Sequence, residues 1–176
     1  MAYRLGLCAA LLLAIALLGG TSSASATGGN SAGSTTVCAP SCHAATTAAQ
    51  TAVSPDDVVT CSFVSYDPIR LPSQDKIEGN GSITGCAPHD PTTCRIETDI
   101  QYFNSNPMFD DWETYAGGAG HYGPPCQGLS GPVSATCDDH ATAIKYRDRT
   151  IVTITESGDT ESQHTYSTTV SFKCFG

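Results

Sequence analysis

Positive charge is scarce in this chain. Lys and Arg number 8 against 17 Asp and Glu, a formal net charge of −9 at pH 7. Nucleic acids and anionic membrane surfaces are held by clustered basic side chains, so neither is expected as a partner. Long apolar runs are also scarce. The one present, Leu5 to Leu18, is 14 residues, short of the roughly 20 that a membrane-spanning helix needs. No membrane span is therefore expected in the mature chain. Charged residues of both signs make up only 14% of the sequence. Thr, Ser and Gly are abundant instead, which suits turns and strands better than surface helices. No H-E-x-x-H pair and no P-loop occurs. No C-x-x-C pair occurs either, which argues against a zinc knuckle.

What is present begins with a targeting signal. Arg4 gives a short basic start, the apolar run follows, and Ala24-Ser25-Ala26 is a small-residue cleavage site. This predicts a signal peptide over residues 1–26, cleaved after Ala26, and a secreted product. Cleavage removes Arg4 and Cys8, leaving 150 residues with a net charge of −10. Eight cysteines remain: Cys38, Cys42, Cys61, Cys86, Cys94, Cys126, Cys137 and Cys174. An even number suits disulfides in an oxidising compartment. Eight cysteines allow about a hundred pairings, and the residues alone select none of them.

Residues 27–53 are rich in Ala, Ser, Thr and Gly and read as a flexible linker. Ser54-Pro55-Asp56-Asp57 is turn chemistry and marks the expected start of a folded domain, 54–176. From Val58 the hydrophobic period becomes two. In VVTCSFVS, Val59, Cys61 and Phe63 share a face. In CRIETDIQYF, Cys94, Ile96, Thr98, Ile100 and Tyr102 face inward. Asn80-Gly81 is a strong hairpin dipeptide. Asn104 to Pro132 reads as a long irregular stretch, and VSATC and ATAIKY as short strands. TIVTITE, the turn SGDTES and HTYSTTVSFKC read as the clearest hairpin. In its last strand His164, Tyr166, Thr168, Val170, Phe172 and Cys174 are expected on the core side. Short strands with no convincing helix between them predict an all-β fold. The expected form is an antiparallel β-sandwich of Ig-like texture, stapled by disulfides.

The cysteine order adds a resemblance. An early strand Cys61, a Pro-containing loop, a Gly-containing strand to Cys86, a Gly-rich region before Cys126 and a final strand Cys174 resemble a class of small exported actinobacterial proteins of unknown function. The resemblance implies the pairs Cys61–Cys86 and Cys126–Cys174. It implies no activity.

Three readings of function follow. The leading one is a non-enzymatic extracellular binding or surface protein that meets an extracellular ligand or protein. Its candidate ligand-binding loop carries Trp112, Tyr115, His121 and Tyr122, since aromatic and Gly-rich loops on rigid β scaffolds often do the recognising. The alternative is a small secreted hydrolase using Asp110, Asp111, Asp138, Asp139 or His140 as acid–base groups. The remote one is a c-type haem protein through Cys38-x3-Cys42-His43. The leading reading expects no cofactor, no metal and no catalytic residue.

Overall fold

The structure, a computed structural model, describes residues 32–40, 58–106, 111–137 and 142–174. The proposed signal peptide lies outside the described residues. Twelve strands occur within them: β1 (Gly33–Ala39), β2 (Val59–Ser65), β3 (Ile69–Leu71), β4 (Lys76–Gly79), β5 (Gly81–Ala87), β6 (Thr93–Asn104), β7 (Asp111–Gly117), β8 (His121–Gly123), β9 (Val133–Thr136), β10 (Ile144–Glu156), β11 (Asp159–Tyr166) and β12 (Val170–Phe172). The only helical element among the described residues is a single 3-10 turn, Pro72–Gln74. Every strand pair is antiparallel.

The long central strands β6 and β10 run side by side from Tyr102↔Tyr146 to Thr93↔Thr155. Their sheet has the order β11-β10-β6-β7, with β12 added to β10 and β8 to β6. Strict alternation buries Cys94, Ile96, Thr98 and Ile100 on β6 and Tyr146, Asp148, Thr150, Val152 and Ile154 on β10. Two three-stranded sheets supply the opposing cover, β1-β2-β5 and β3-β4-β9. The first packs Val37, Val59, Phe63 and Ile83 against Ile96, Val152 and Ile154. The second closes Ile77 and Val133 over Ile100 and Tyr146. A large aliphatic or aromatic side chain buried this way contributes about 1.5–3 kcal/mol. The result is a β-sandwich with two apolar clusters.

Asn80-Gly81 is not a hairpin. β4 ends at Gly79 and β5 begins at Gly81, so the chain steps from one covering sheet to the other across Asn80. Both glycines are required by close approach to β10. A Cβ on Gly79 would overlap the Asp148 carboxylate, and one on Gly81 would overlap the Thr150 side chain. Gly85, further along β5, has open space around it. Gly81→Ala is therefore expected to destabilise the fold by about 1–3 kcal/mol. Gly85→Ala is expected to shift the denaturation midpoint little, and a urea titration of both variants checks the contrast.

Other boundaries also differ from expectation. The segment read as a linker contains β1, which pairs with β2 along its whole length from Gly33↔Ser65 to Ala39↔Val59. Polar Gly, Ser and Thr conceal it, because only Val37 and Ala39 need burial. The stretch read as irregular contains β7 and β8, both paired to β6. The last hairpin turns on only two residues, Ser157 and Gly158, both at positive φ (52° and 87°), the geometry that matches strand twist. Its second strand is broken. Ser167 and Val170 both point inward although three residues apart, so alternation slips between β11 and β12. Val170, Phe172 and Cys174 face the core as expected. His164 and Tyr166 lie on the opposite, outer face.

Three disulfides are formed among the described residues. Cys61–Cys86 links opposed positions of β2 and β5, with Cα atoms 4.1 Å apart. Cys94–Cys126 and Cys137–Cys174 are the other two. The pair Cys126–Cys174 implied by the resemblance does not form. β8 lies against β6 with Gly123 opposite Cys94, which brings the following Cys126 to Cys94. Cys174, two residues past β12, meets Cys137, which follows β9. Cys38 is also disulfide-bonded, and its partner, like Cys42, lies outside the described residues. Multiple disulfides in a small β domain fit an oxidising compartment.

Candidate functional site

The outer face of the six-stranded sheet carries a continuous row of rings and cations. On β10 the sequence KYRDR puts Lys145, Arg147 and Arg149 on this face and Tyr146 and Asp148 in the core. Lys145 Nζ stands 5.5 Å over the ring of Phe103 on β6. Phe103 meets Trp112 of β7 edge to face, with centroids 5.4 Å apart. The Arg147 guanidinium lies between two rings, 4.1 Å from the centroid of Trp112 and 4.0 Å from that of Tyr166 on β11. Tyr166 meets His164 edge to face at 5.2 Å. Arg147 Nε also donates to Gln101 Oε1 at 2.9 Å, which fixes the guanidinium plane. Burial between the rings pulls the pKa of Arg147 below its usual value, with Tyr166 and Asp111 acting in the opposite direction.

Toward the far end of the face, Arg149 pairs with Asp99, and Arg95 pairs with Glu97. Arg95 also stands 5.6 Å over Tyr122, which is 71% exposed. Four of the eight basic residues of an acidic chain thus sit on one sheet face: Arg95, Lys145, Arg147 and Arg149. Each cation–ring contact adds about 0.5–2 kcal/mol according to its desolvation.

The four residues expected to form one loop site are separated. Trp112 and Tyr122 stand on this outer face, on β7 and β8. Tyr115 turns toward the second core cluster, donates to the carbonyl of Thr136 at 2.6 Å and packs edge to face on Tyr102 and Tyr146. His121 is half-buried on β8 opposite Ile96. Lys145, Arg147, Phe103 and Tyr166 share this face with Trp112 and were not among the expected site residues. The i, i+2, i+4 basic spacing on β10 was a visible signal for the first two.

The acid–base candidates are largely out of view. Asp110 and Asp138, Asp139 and His140 lie outside the described residues. Asp111 is exposed and accepts from the Trp112 backbone N–H at 2.7 Å. Glu113 accepts from Tyr102 and from Asn104, and these hydrogen bonds, in that order, lower its pKa; the bond to Glu113 raises that of Tyr102. His43, the residue expected beside the haem cysteines, also lies outside the described residues. The disulfide at Cys38 leaves that sulfur without a thiol for a thioether. Among the described residues no group of three potential metal ligands gathers.

A second feature lies over the strand crossing. A cleft of about 520 Å³ is lined by Tyr66, Asp67, Ile69, Glu78, Gly79, Asn80 and Ser134 among others. On the core side of Gly79 sits Asp148, fully buried in a polar layer between the two core clusters. Its Oδ2 accepts from the Asn80 backbone N–H at 2.9 Å, while Oδ1 has no partner. Its backbone N–H donates to Ser167 Oγ at 2.8 Å, and its carbonyl accepts from Ser65 Oγ at 3.2 Å. Thr150 donates to Ser65 and contacts Thr98, completing the layer. Burial raises the Asp148 pKa to about 8; the Asn80 hydrogen bond opposes this, and Asp67 and Asp99 reinforce it.

Comparison with protein families, with characterised proteins and with solved structures finds no match to this chain.

Proposed function

We propose that this protein is secreted and works as a non-catalytic recognition domain. Its contact surface is the outer face of the six-stranded sheet, and its ligand is an acidic carbohydrate chain. The row Lys145–Phe103–Trp112–Arg147–Tyr166–His164 carries this reading. Rings held by neighbouring cations offer apolar, pre-ordered surface for sugar C–H groups at little entropic cost. Lys145 and Arg147 carry charge that a carboxylate or sulfate would neutralise, and Arg presents its donors in a fixed fork. Charge complementarity selects the acidic class. The face holds half of the chain's basic residues, although the whole protein is strongly negative. The disulfide scaffold keeps this face rigid outside the cell, where such polymers occur.

The test is binding to immobilised polygalacturonate and hyaluronate, with dextran as the neutral control. Wild type is expected to bind the acidic polymers and to be displaced by salt. Trp112→Ala, Tyr166→Ala and Arg147→Gln are each expected to weaken binding about tenfold, that is by about 1.4 kcal/mol. The bound polymer is expected to keep its length. Equal binding to dextran, full binding by all three folded variants, or shortening of the polymer would each reject the proposal.

A further inference from the structure

The geometry points to a second ligand site, the cleft over Gly79 and Asn80, which takes an organic cation on an apolar stem, an alkylammonium of the kind carried by a polyamine or a lysine side chain. This site is independent of the outer sheet face. Its volume of about 520 Å³ falls in the roughly 300–1,000 Å³ range of small-ligand sites. The register of the small sheet builds its wall. Ile69, Glu78 and Ser134 stand in one row across β3, β4 and β9. The wall therefore combines an apolar patch, a carboxylate and a hydroxyl. Tyr66 and Ile69 are both partly exposed (37% and 43%) and supply surface for a hydrocarbon stem.

The charge of the cleft is one-sided. Asp67 accepts from the backbone N–H and hydroxyl of Thr168, at 2.9 and 2.7 Å, which anchors its carboxylate at the rim. Neither Asp67 nor Glu78 forms an ion pair among the described residues. Among the described residues no basic side chain lines the cleft to oppose these two carboxylates. The potential metal ligands do not converge among the described residues, and the wall is partly apolar, so the chemistry fits an ammonium with a hydrocarbon stem.

The experiment follows the backbone amides of the isotope-labelled full chain by NMR during titration with spermidine, and separately with Nα-acetyl-lysine amide. Saturable shifts are expected at Tyr66, Gly79, Asn80 and Ser134. Glu78→Gln, a change on the cleft wall, is expected to weaken binding at least fivefold, and Asp67→Asn is expected to do the same. Saturation by spermidine alone assigns the site to free polyamines; saturation by both probes assigns it to basic side chains. Shifts scattered over the acidic surface, or equal affinity in Glu78→Gln and wild type, would overturn the site. Trp112→Ala is expected to leave this titration unchanged, so the cleft stands or falls separately from the sheet face.

Discussion

Replacing Asp148 with Asn is expected to abolish a large loss of stability between pH 4 and pH 8. In the folded protein the carboxyl holds its proton up to about pH 8, because burial disfavours the charged form. In the unfolded chain it titrates near the ordinary value of 3.8. Across that window the folded state binds more protons than the unfolded state. Stability conferred by this group is therefore complete below about pH 4 and falls as pH rises, levelling off above about pH 8. The full shift corresponds to about 6 kcal/mol. Asn keeps the shape and the acceptor for the Asn80 N–H but has no charge to bury. The variant is expected to match wild type near pH 4 and to exceed it by several kcal/mol near pH 8. Urea midpoints at pH 4.5, 6.5 and 8 measure the difference directly, and other titrating groups cancel in the subtraction. A variant equally weakened at every pH would mean that the native carboxylate is charged and needed.

Removing the Cys137–Cys174 disulfide by a double change to Ser is expected to cost about 4 kcal/mol, the loop-closure value for a separation of this size. The two residues are 37 apart in sequence and both are buried in the second core cluster. The reason lies in β12, which has three residues and only three paired positions on β10. A strand that short, held by so few ladder positions, frays unless it is tied. The tie keeps Phe172 stacked on Tyr146 with centroids 4.6 Å apart, and Tyr146 in turn supports Tyr115. Thermal unfolding of the double variant is expected to show a lowered midpoint and early exposure of Tyr146. Loss of Cys61–Cys86 is expected to act differently. Those residues already face each other in a paired ladder, so the first core cluster keeps its strand register without the bond. An unchanged midpoint in the Cys137/Cys174 variant would show that β12 is held by packing alone.

Much of the fold was legible because period-two burial is local. Val59, Cys61 and Phe63 face one way because strand geometry forces it, and the same rule located Cys94, Ile96 and Ile100. The rule failed where the backbone changed phase or left a sheet. Nothing local signals the slip between Ser167 and Val170, which is set by Asp148 anchoring Ser167 from another strand. Asn80-Gly81 carries hairpin chemistry, but its glycine answers to Thr150, 69 positions away in the chain. The aromatic candidates Trp112, Tyr115, His121 and Tyr122 were visible as a group by composition. Their partition between the outer face and the core depended on pairing with β6, which composition does not encode.

The sequence by itself determined that this is an all-β, disulfide-stapled chain, because alternation, turn residues and an even set of cysteines from Cys38 onward are one-dimensional signals. Tertiary structure alone decided which cysteines meet, since Cys126 and Cys174 are each drawn to a closer partner by the sheet register. It also decided that Arg147 lies between Trp112 and Tyr166, and that Asp148 is buried beneath Gly79. These arrangements join strands distant in sequence, and their energies depend on a proximity that only the assembled sheets create.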